Sequence, residues 1–329
     1  RMFTPIAALW DQELTITGEG SLLKRPVTMA ENPLKDLGAR VSTTNGCPPL
    51  TVKGPLKGGR TKVDGSISSQ FLTGLLMALP KAPKDSKLTV KDLTSTPYID
   101  MTLALLKTFG IEVQSSGYET FFIKGRQTYR LPKNEYRVEG DWSGAAFLLV
   151  AGAIGGSVTV TGRGRVGIQA DRKILQALET AGAHIKTTKN SVEVSKNRLN
   201  ALQFDATHCP DLFPPLVALA CNCQGTTVLK GVDRLIHKES NRAMALEKEF
   251  NALGGKICIK GNQMEITGKR LTGGVVNAHN DHRIAMAAAV AAINVRIQVI
   301  IQDSECTAKS YPNFFQDLKS IGAGVYEQF

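Results

Sequence analysis

The chain has 329 residues, 42% of them hydrophobic and 6% aromatic, and its 40 lysines and arginines outnumber 29 aspartates and glutamates for a net charge of +11. That much apolar material can bury substantial cores and predicts two domains or one large one, while no run approaches the roughly 18 uninterrupted apolar residues of a membrane-spanning helix. The positive excess favours anionic partners, yet there is no Lys/Arg-rich tail and no basic stripe interleaved with aromatics, which argues against nucleic acid.

One order of elements recurs five times, at a period of about 70 residues that is long for a solenoid and natural for an α/β subdomain. Each copy opens an apolar helix with a polar or charged residue, at Arg1, Ser69, Ser143, Asp211 and Asp281. A short strand rich in β-branched residues follows: Leu14–Thr17, Leu88–Val90, Val158–Val160, Thr227–Leu229 and Ile297–Ile300. A basic loop comes next, carrying in turn Lys24 and Arg25, Lys91, Arg163 and Arg165, Arg234 with Lys238 and Arg242, and Lys309. The second half of each copy has helical spacing that stops at Gly38, Gly110, Gly182, Gly254 or Gly322, a helix C-terminal signal. The first copy begins with its helix already under way, so a segment upstream of Arg1 is expected, and a targeting peptide there stays open.

The six cysteines, at 47, 209, 221, 223, 258 and 306, form neither CxxC pairs nor a regular framework. Reduced structural thiols and an intracellular compartment are the default, and no metal site is expected.

The helix openings are the candidate anion sites. Ser68-Ser69-Gln70, Ser143, Asp211 and Asn280-Asp281-His282-Arg283 each stand where free backbone N–H groups and the positive end of the helix dipole favour a phosphate or carboxylate. N-capping alone would explain Ser, Asp and Asn there. It does not call for Gln70, His282 or Arg283, nor for a cationic loop in every copy. In His237-Lys238-Glu239-Ser240-Asn241-Arg242, a helical start would put Lys238 and Arg242 on one face, two cations that an anion would relieve, with Glu239 as counter-charge or proton carrier. A solvated face with ordinary ion pairing is the competing explanation. His282 beside Arg283 reads as a proton donor of tunable pKa, and Lys309 occupies the repeat position of Arg25 and Lys238.

Taken together, Asp64–Phe71, Pro97–Asp100, Lys238–Arg242, Asn280–Arg283 and Cys306–Lys309 resemble, in order and over essentially the whole chain, the enolpyruvyl transferases of the 5-enolpyruvylshikimate-3-phosphate synthase family. The resemblance implies a two-domain α/β fold of six repeated subdomains, five visible here, with helices packed inward. It sets a first domain at 1–138, truncated at its N-terminus, a second at 139–329, and a substrate cleft between them that closes on binding. It implies transfer of the enolpyruvyl group from phosphoenolpyruvate to the 5-hydroxyl of shikimate 3-phosphate with release of phosphate, a step of aromatic amino-acid biosynthesis, without metal or organic cofactor. Carried over by motif, Ser68, Ser69, Ser95, Tyr98, Asp211 and Lys238 would bind shikimate 3-phosphate. Arg25, Gln70, Arg242, Arg283 and Lys309 would surround phosphoenolpyruvate. Asp211 would deprotonate the attacking hydroxyl, Glu239 would protonate the methylene carbon, and His282 would support them. A cytoplasmic monomer acting on small anions, with no nucleic acid and no membrane, is the expectation, and a plastid location stays open.

The sequence also departs from the family. Its N-terminal lysine motif and glycine-rich segment are absent, which predicts that this chain is inactive by itself unless the missing segment is supplied. Arg234 stands where some members have Asn, Asn241 replaces a common Asp, and Trp142 replaces a small residue. Two alternatives remain. One is a UDP-N-acetylglucosamine enolpyruvyl transferase with Cys47 as its reactive thiol, disfavoured because no cation stands near Cys47 in the sequence. The other is a noncatalytic anion-binding protein on the same scaffold, disfavoured by the presence of Asp211, Glu239 and His282.

Overall fold

The computed structural model describes residues 1–132, 135–162, 167–236 and 238–327. Arg163, Arg165 and His237, which the sequence places in two basic segments, lie outside the described residues. The chain divides into two compact units, Arg1–Val138 and Glu139–Phe329.

In the first unit, α1 (Phe3–Ala7), β1 (Glu13–Ile16), α2 (Glu31–Asp36), β2 (Arg40–Thr44) and β3 (Cys47–Lys53) form one repeat, an antiparallel sheet in the order β1-β3-β2. The next repeat runs β4 (Gly59–Asp64), α3 (Ser69–Ala78), β5 (Ser86–Lys91), α4 (Thr96–Thr108), β6 (Val113–Ser116) and β7 (Thr120–Ile123). Its order is β4-β5-β7-β6, with β4 and β5 parallel across the α3 crossover and the other pairs antiparallel.

The second unit repeats the pattern. First come α5 (Trp142–Gly155), β8 (Ser157–Thr161), α6 (Ile174–Ala181), β9 (His184–Thr187) and β10 (Ser191–Ser195). Then follow β11 (Gln203–Asp205), α7 (Phe213–Ala220), β12 (Thr226–Lys230), α8 (Arg242–Ala252), β13 (Ile257–Lys260) and β14 (Gln263–Thr267), a sheet in the order β11-β12-β14-β13 with β11 parallel to β12. Last are β15 (Gly274–Asn277), α9 (His282–Ala291), β16 (Val299–Gln302) and α10 (Phe314–Ser320), with β15 parallel to β16.

Composition decides which helices go inside. Every residue of α7 and of α9 is buried, because neither has a polar face along its length and a helix apolar all round belongs in a core. These two pack on each other and on α5. Strands such as β10 alternate buried with partly exposed residues and form the outer layer. Gly152 lets α5 lie against β10, since a Cβ there would stand 2.7 Å from the Val194 carbonyl oxygen.

The five glycine stops are all in the left-handed region, with φ of 95° at Gly38, 76° at Gly110, 93° at Gly182, 85° at Gly254 and 102° at Gly322. They follow the ends of α2, α4, α6, α8 and α10, where a side chain would strain the turn. Most expected boundaries shift by a residue or two, and two of the shifts have a visible cause. The last strand is Val299–Gln302, later than Ile297–Ile300, because the Ile297 N–H is taken by the Thr272 carbonyl and the ladder opens at Gly274 with Val299. α1 opens at Phe3 rather than Arg1, whose Nε donates to the Pro26 carbonyl at 3.0 Å. Among the described residues no helix is long and apolar enough to cross a membrane.

Candidate active site

Each inner helix of the second unit has an aspartate at its start, and the three are used differently. Asp141 caps α5, accepting from the N–H groups of Ser143 and Gly144, both at 2.9 Å. Asp281 caps α9, accepting from the Arg283 N–H at 3.0 Å. Asp211 lies in the 3-10 turn Pro210–Leu212 ahead of α7 and takes no helix amide. The first turn of α7 holds Pro214 and Pro215, which have no N–H to offer, so the helix makes no demand on a carboxylate. Capping therefore does not explain Asp211, and its charge is left for side chains.

Three cations take it up. Lys238 Nζ donates to Asp211 Oδ1 at 3.2 Å, Arg242 Nη1 to the same oxygen at 2.8 Å, and Arg283 Nη2 pairs with Oδ2 at 3.4 Å. The Arg242 side chain is only 1% exposed and is held on every side. Its Nε donates to Asp281 Oδ2 at 2.8 Å, and its Nη2 to Glu239 Oε2 and to Asp281 Oδ1. Asp281 Oδ2 also accepts from Ser240 Oγ at 3.0 Å. A buried guanidinium is tolerated when its forked donors are matched this way.

The cluster sets its own protonation. Burial pushes the Asp211 carboxyl up, but Arg283, Lys238 and Arg242 outweigh it and hold the group well below its ordinary value. Burial pulls Arg242 down, and Asp281, Asp211 and Glu239 together raise it above its ordinary value. His282 is pushed down to about 4, first by burial and then by Arg283 and Arg242. Its imidazole is consequently neutral at physiological pH, and His282 can offer an N–H dipole rather than an imidazolium. Its Nδ1 is buried without a hydrogen-bond partner.

Lys238 and Arg242 do not share a helix face as expected. α8 begins at Arg242, with Asn241 as its cap accepting from the Met244 N–H at 3.3 Å, and Lys238 precedes the helix. The two meet through Asp211 instead. Asn241 thus performs at the cap what an Asp there would do. Lys309 is exposed at the end of the 3-10 segment Ser304–Lys309, and its Nζ donates to the carbonyl and to Oδ1 of Asn280, each at 2.6 Å. Asn280 and His279 both have φ of 53°, a strained pair. The pair is anchored by His279 Nε2, 2.7 Å from buried Glu249 Oε1. Trp142 is fully buried, with the Arg172 guanidinium 6.0 Å from its ring centroid.

In the first unit the residues assigned to shikimate 3-phosphate gather at the starts of α3 and α4. Ser68 Oγ caps α3, accepting from the Gln70 N–H at 3.2 Å. Ser95 precedes α4 with φ of 58°, and its carbonyl accepts from the Tyr98 N–H at 3.1 Å. Thr94 joins the two loops through its N–H and Oγ1, both donating to the Gly65 carbonyl, so Ser68, Ser69, Gln70, Ser95 and Tyr98 are brought to one end of the unit. Arg25 lies beside Arg1 instead; burial and then Arg25 lower the Arg1 pKa, while Cys47 acts in the opposite sense. Cys47 therefore has a cation within electrostatic reach, contrary to the expectation from its sequence neighbours.

Sequence reasoning missed Asp171. It is 3% exposed in the 3-10 segment Ala170–Lys173, accepts from Ser143 Oγ at Oδ2, and interacts electrostatically with Asp211, Arg283 and Lys238. In Gln169-Ala170-Asp171-Arg172-Lys173 it looks like any acid at a helix start, and nothing local sets it apart. Asp281 was noticed only as a helix opening. Among the described residues no three His, Cys, Asp or Glu side chains are grouped as metal ligands.

A core of inward-packed helices, each entered through a polar N-terminus, is the enolpyruvyl transferase fold. The chain shares it with the solved EPSP synthase of Acinetobacter baumannii at a TM-score of 0.80 and 24% identity, over 97% of this chain and 76% of that one. The sequence profile of the EPSP synthase (3-phosphoshikimate 1-carboxyvinyltransferase) family matches residues 1–318. A 3-phosphoshikimate 1-carboxyvinyltransferase of Clostridium kluyveri is 40% identical over 99% of this chain and 77% of its own length. That of Citrobacter koseri is 39% identical over 96% and 76%. The chain belongs to the EPSP synthase family. These matches do not favour the nucleotide-sugar alternative, and they replace the argument from Cys47, which no longer holds.

Proposed function

We propose that the chain transfers the enolpyruvyl group of phosphoenolpyruvate to the 5-hydroxyl of shikimate 3-phosphate, releasing phosphate, and that the cluster around Asp211 is where proton transfer occurs. The observation that carries this is the convergence of Lys238, Arg242 and Arg283 on one carboxylate that caps no helix. Both substrates are polyanions, and at an effective dielectric near 20 one close pair of unit charges is worth about 4 kcal/mol, so several cations are needed to hold them together. In the structure these cations rest on Asp211, Glu239 and Asp281.

Incoming phosphate and carboxylate groups compete for Lys238, Arg242 and Arg283. As those cations turn to the substrates, their hold on Asp211 weakens and its proton affinity rises towards what general-base work requires. Asp211 then takes the proton of the 5-hydroxyl as its oxygen attacks C2 of phosphoenolpyruvate. Glu239, turned from Arg242, takes up a proton from solvent and delivers it to the methylene carbon, giving a tetrahedral intermediate. In the elimination Glu239 takes a proton back from the new methyl group, and phosphate leaves with the proton that Asp211 had accepted. His282, neutral, donates an N–H to the developing charge. In the first unit, Ser68, Ser69, Ser95 and Tyr98 bind shikimate 3-phosphate, and Gln70 and Arg25 hold phosphoenolpyruvate, as Lys309 does in the second. Alignment of the reacting groups supplies much of the remaining rate.

By its resemblance to the family the protein is a cytoplasmic monomer; sedimentation showing an obligate dimer would contradict this. The function is tested by phosphate release from phosphoenolpyruvate with the full-length protein. Release should require shikimate 3-phosphate, and release driven by UDP-N-acetylglucosamine, or binding of both anions without release, would overturn it.

A further inference from the structure

Asp171 stands beside the proposed proton-transfer cluster and is not used by it. One carboxyl oxygen accepts from Ser143 Oγ at the start of α5; the other, Oδ1, is buried and has no hydrogen-bond partner. Arg283 Nη1 is likewise buried and unpartnered. The groups facing Asp171 are Ser143 from α5, Cys209 and Asp211 from the segment ahead of α7, Lys238 ahead of α8, and Arg283 from α9. Asp211, Glu239 and Asp281 already balance Lys238, Arg242 and Arg283 in the ion pairs of the cluster. Among the described residues, ionised Asp171 adds a fourth carboxylate beside these ion pairs, with Arg172 and Lys173 next to it on its own segment.

A buried carboxylate oxygen without a donor is costly, and a proton on it removes most of the cost. The cations oppose that protonation while they are unoccupied, and an anion bound to them favours it. We propose that Asp171 is a positioning residue that exchanges one proton with solvent as anions come and go: ionised and attracting Arg283 and Lys238 through space while they carry no anion, protonated at Oδ1 when an anion has taken those cations. The inference deepens the functional reading above and rests on it for the identity of the anions. The direction of the Asp171 pKa agrees: burial, then the charge of Asp211, push it up to about 6 against Ser143, Arg283 and Lys238, within range of such an exchange.

Sulfate is the clean probe, because it stays a dianion from pH 5 to 8. Calorimetry in buffers of different ionisation enthalpy should show proton uptake when the wild-type chain binds sulfate at pH 7. Its affinity should fall by up to about tenfold per pH unit above pH 6, the limit for one linked proton. Asp171→Asn keeps the acceptor for Ser143 and mimics the protonated acid. It should take up no proton, bind sulfate with little pH dependence, and bind more tightly than wild type at pH 8. Thermal unfolding gives a second readout: the variant should be more stable than wild type at pH 8 and equal to it near pH 4, whereas a purely structural role predicts a less stable variant at both. Equal pH dependence in the two proteins, no sulfate binding at any pH, or a less stable variant at pH 8 would overturn the proposal. Linked binding without phosphate release would leave it standing and count against the transferase reading instead.

Discussion

Asp211 shows how one residue can be assigned by what its neighbours lack. An aspartate before a helix is ordinarily a cap, and only the prolines at 214 and 215 release it to Lys238, Arg242 and Arg283. Asp211→Asn should lower kcat by about 10²–10⁴-fold, the usual range for a lost general base. It should also destabilise by about 3 kcal/mol, as for a buried pair deprived of one partner. The folded pKa lies below the ordinary value of 3.8, so the stabilisation is full above that value and is lost as pH falls through the folded pKa. Acid unfolding of the variant should accordingly be flatter below pH 4 than that of wild type. His282 works at the other end of its range. With its pKa pushed down from 6.5 to about 4, the unfolded chain binds more protons between those values, and stability should rise with pH across that window. His282→Gln should remove this slope in thermal scans, and NMR of the wild type should find His282 neutral at pH 6; a midpoint near 6.5 would refute the assignment. The motif residues were legible in the sequence because their types suit the chemistry. Their partners were not, because Arg242 reaches Asp211 and Asp281 across the fold and nothing local announces that.

Among the elements, the glycine stops were the most legible feature, since only a residue without Cβ enters the left-handed region freely. They also make graded predictions. An alanine at Gly322, φ 102°, would meet nothing within 4 Å, whereas at Gly182, φ 93°, it would stand 3.0 Å from the Arg198 carbonyl oxygen. Gly322→Ala should cost about 1 kcal/mol for backbone strain alone, and Gly182→Ala more, both read from denaturant midpoints. The turn before α9 is a different case. Glu249 holds His279 and accepts from the Asn277 N–H at 3.0 Å, fixing the strained residues whose Asn280 binds Lys309. Glu249→Gln should raise KM for phosphoenolpyruvate more than it lowers kcat; unchanged kinetics would detach that turn from function. The last strand was misplaced because β-branched composition marks Ile297–Ile300 as a block, while the ladder depends on which amides are already taken.

For the whole molecule, the repeat was readable from sequence as a rhythm of helix, strand, basic loop and glycine, and the inward helices from their apolar surfaces. What could not be read was the division of labour among the three aspartates that open the inner helices of the second unit, two capping and one paired with Lys238, Arg242 and Arg283, because it depends on cations that lie far along the chain, Arg283 in the next repeat. The central claim is that Asp211 and Glu239 carry addition and elimination in this pocket. Its most direct test is to incubate the full-length protein with phosphoenolpyruvate and shikimate 3-phosphate in deuterium oxide and follow the phosphoenolpyruvate methylene by NMR. A methyl group formed by protonation and emptied by elimination must exchange its hydrogens with solvent. Deuterium should therefore enter in wild type and be lost in both Asp211→Asn and Glu239→Gln. Exchange that persists unchanged in Glu239→Gln, or phosphate release without exchange, would contradict the account.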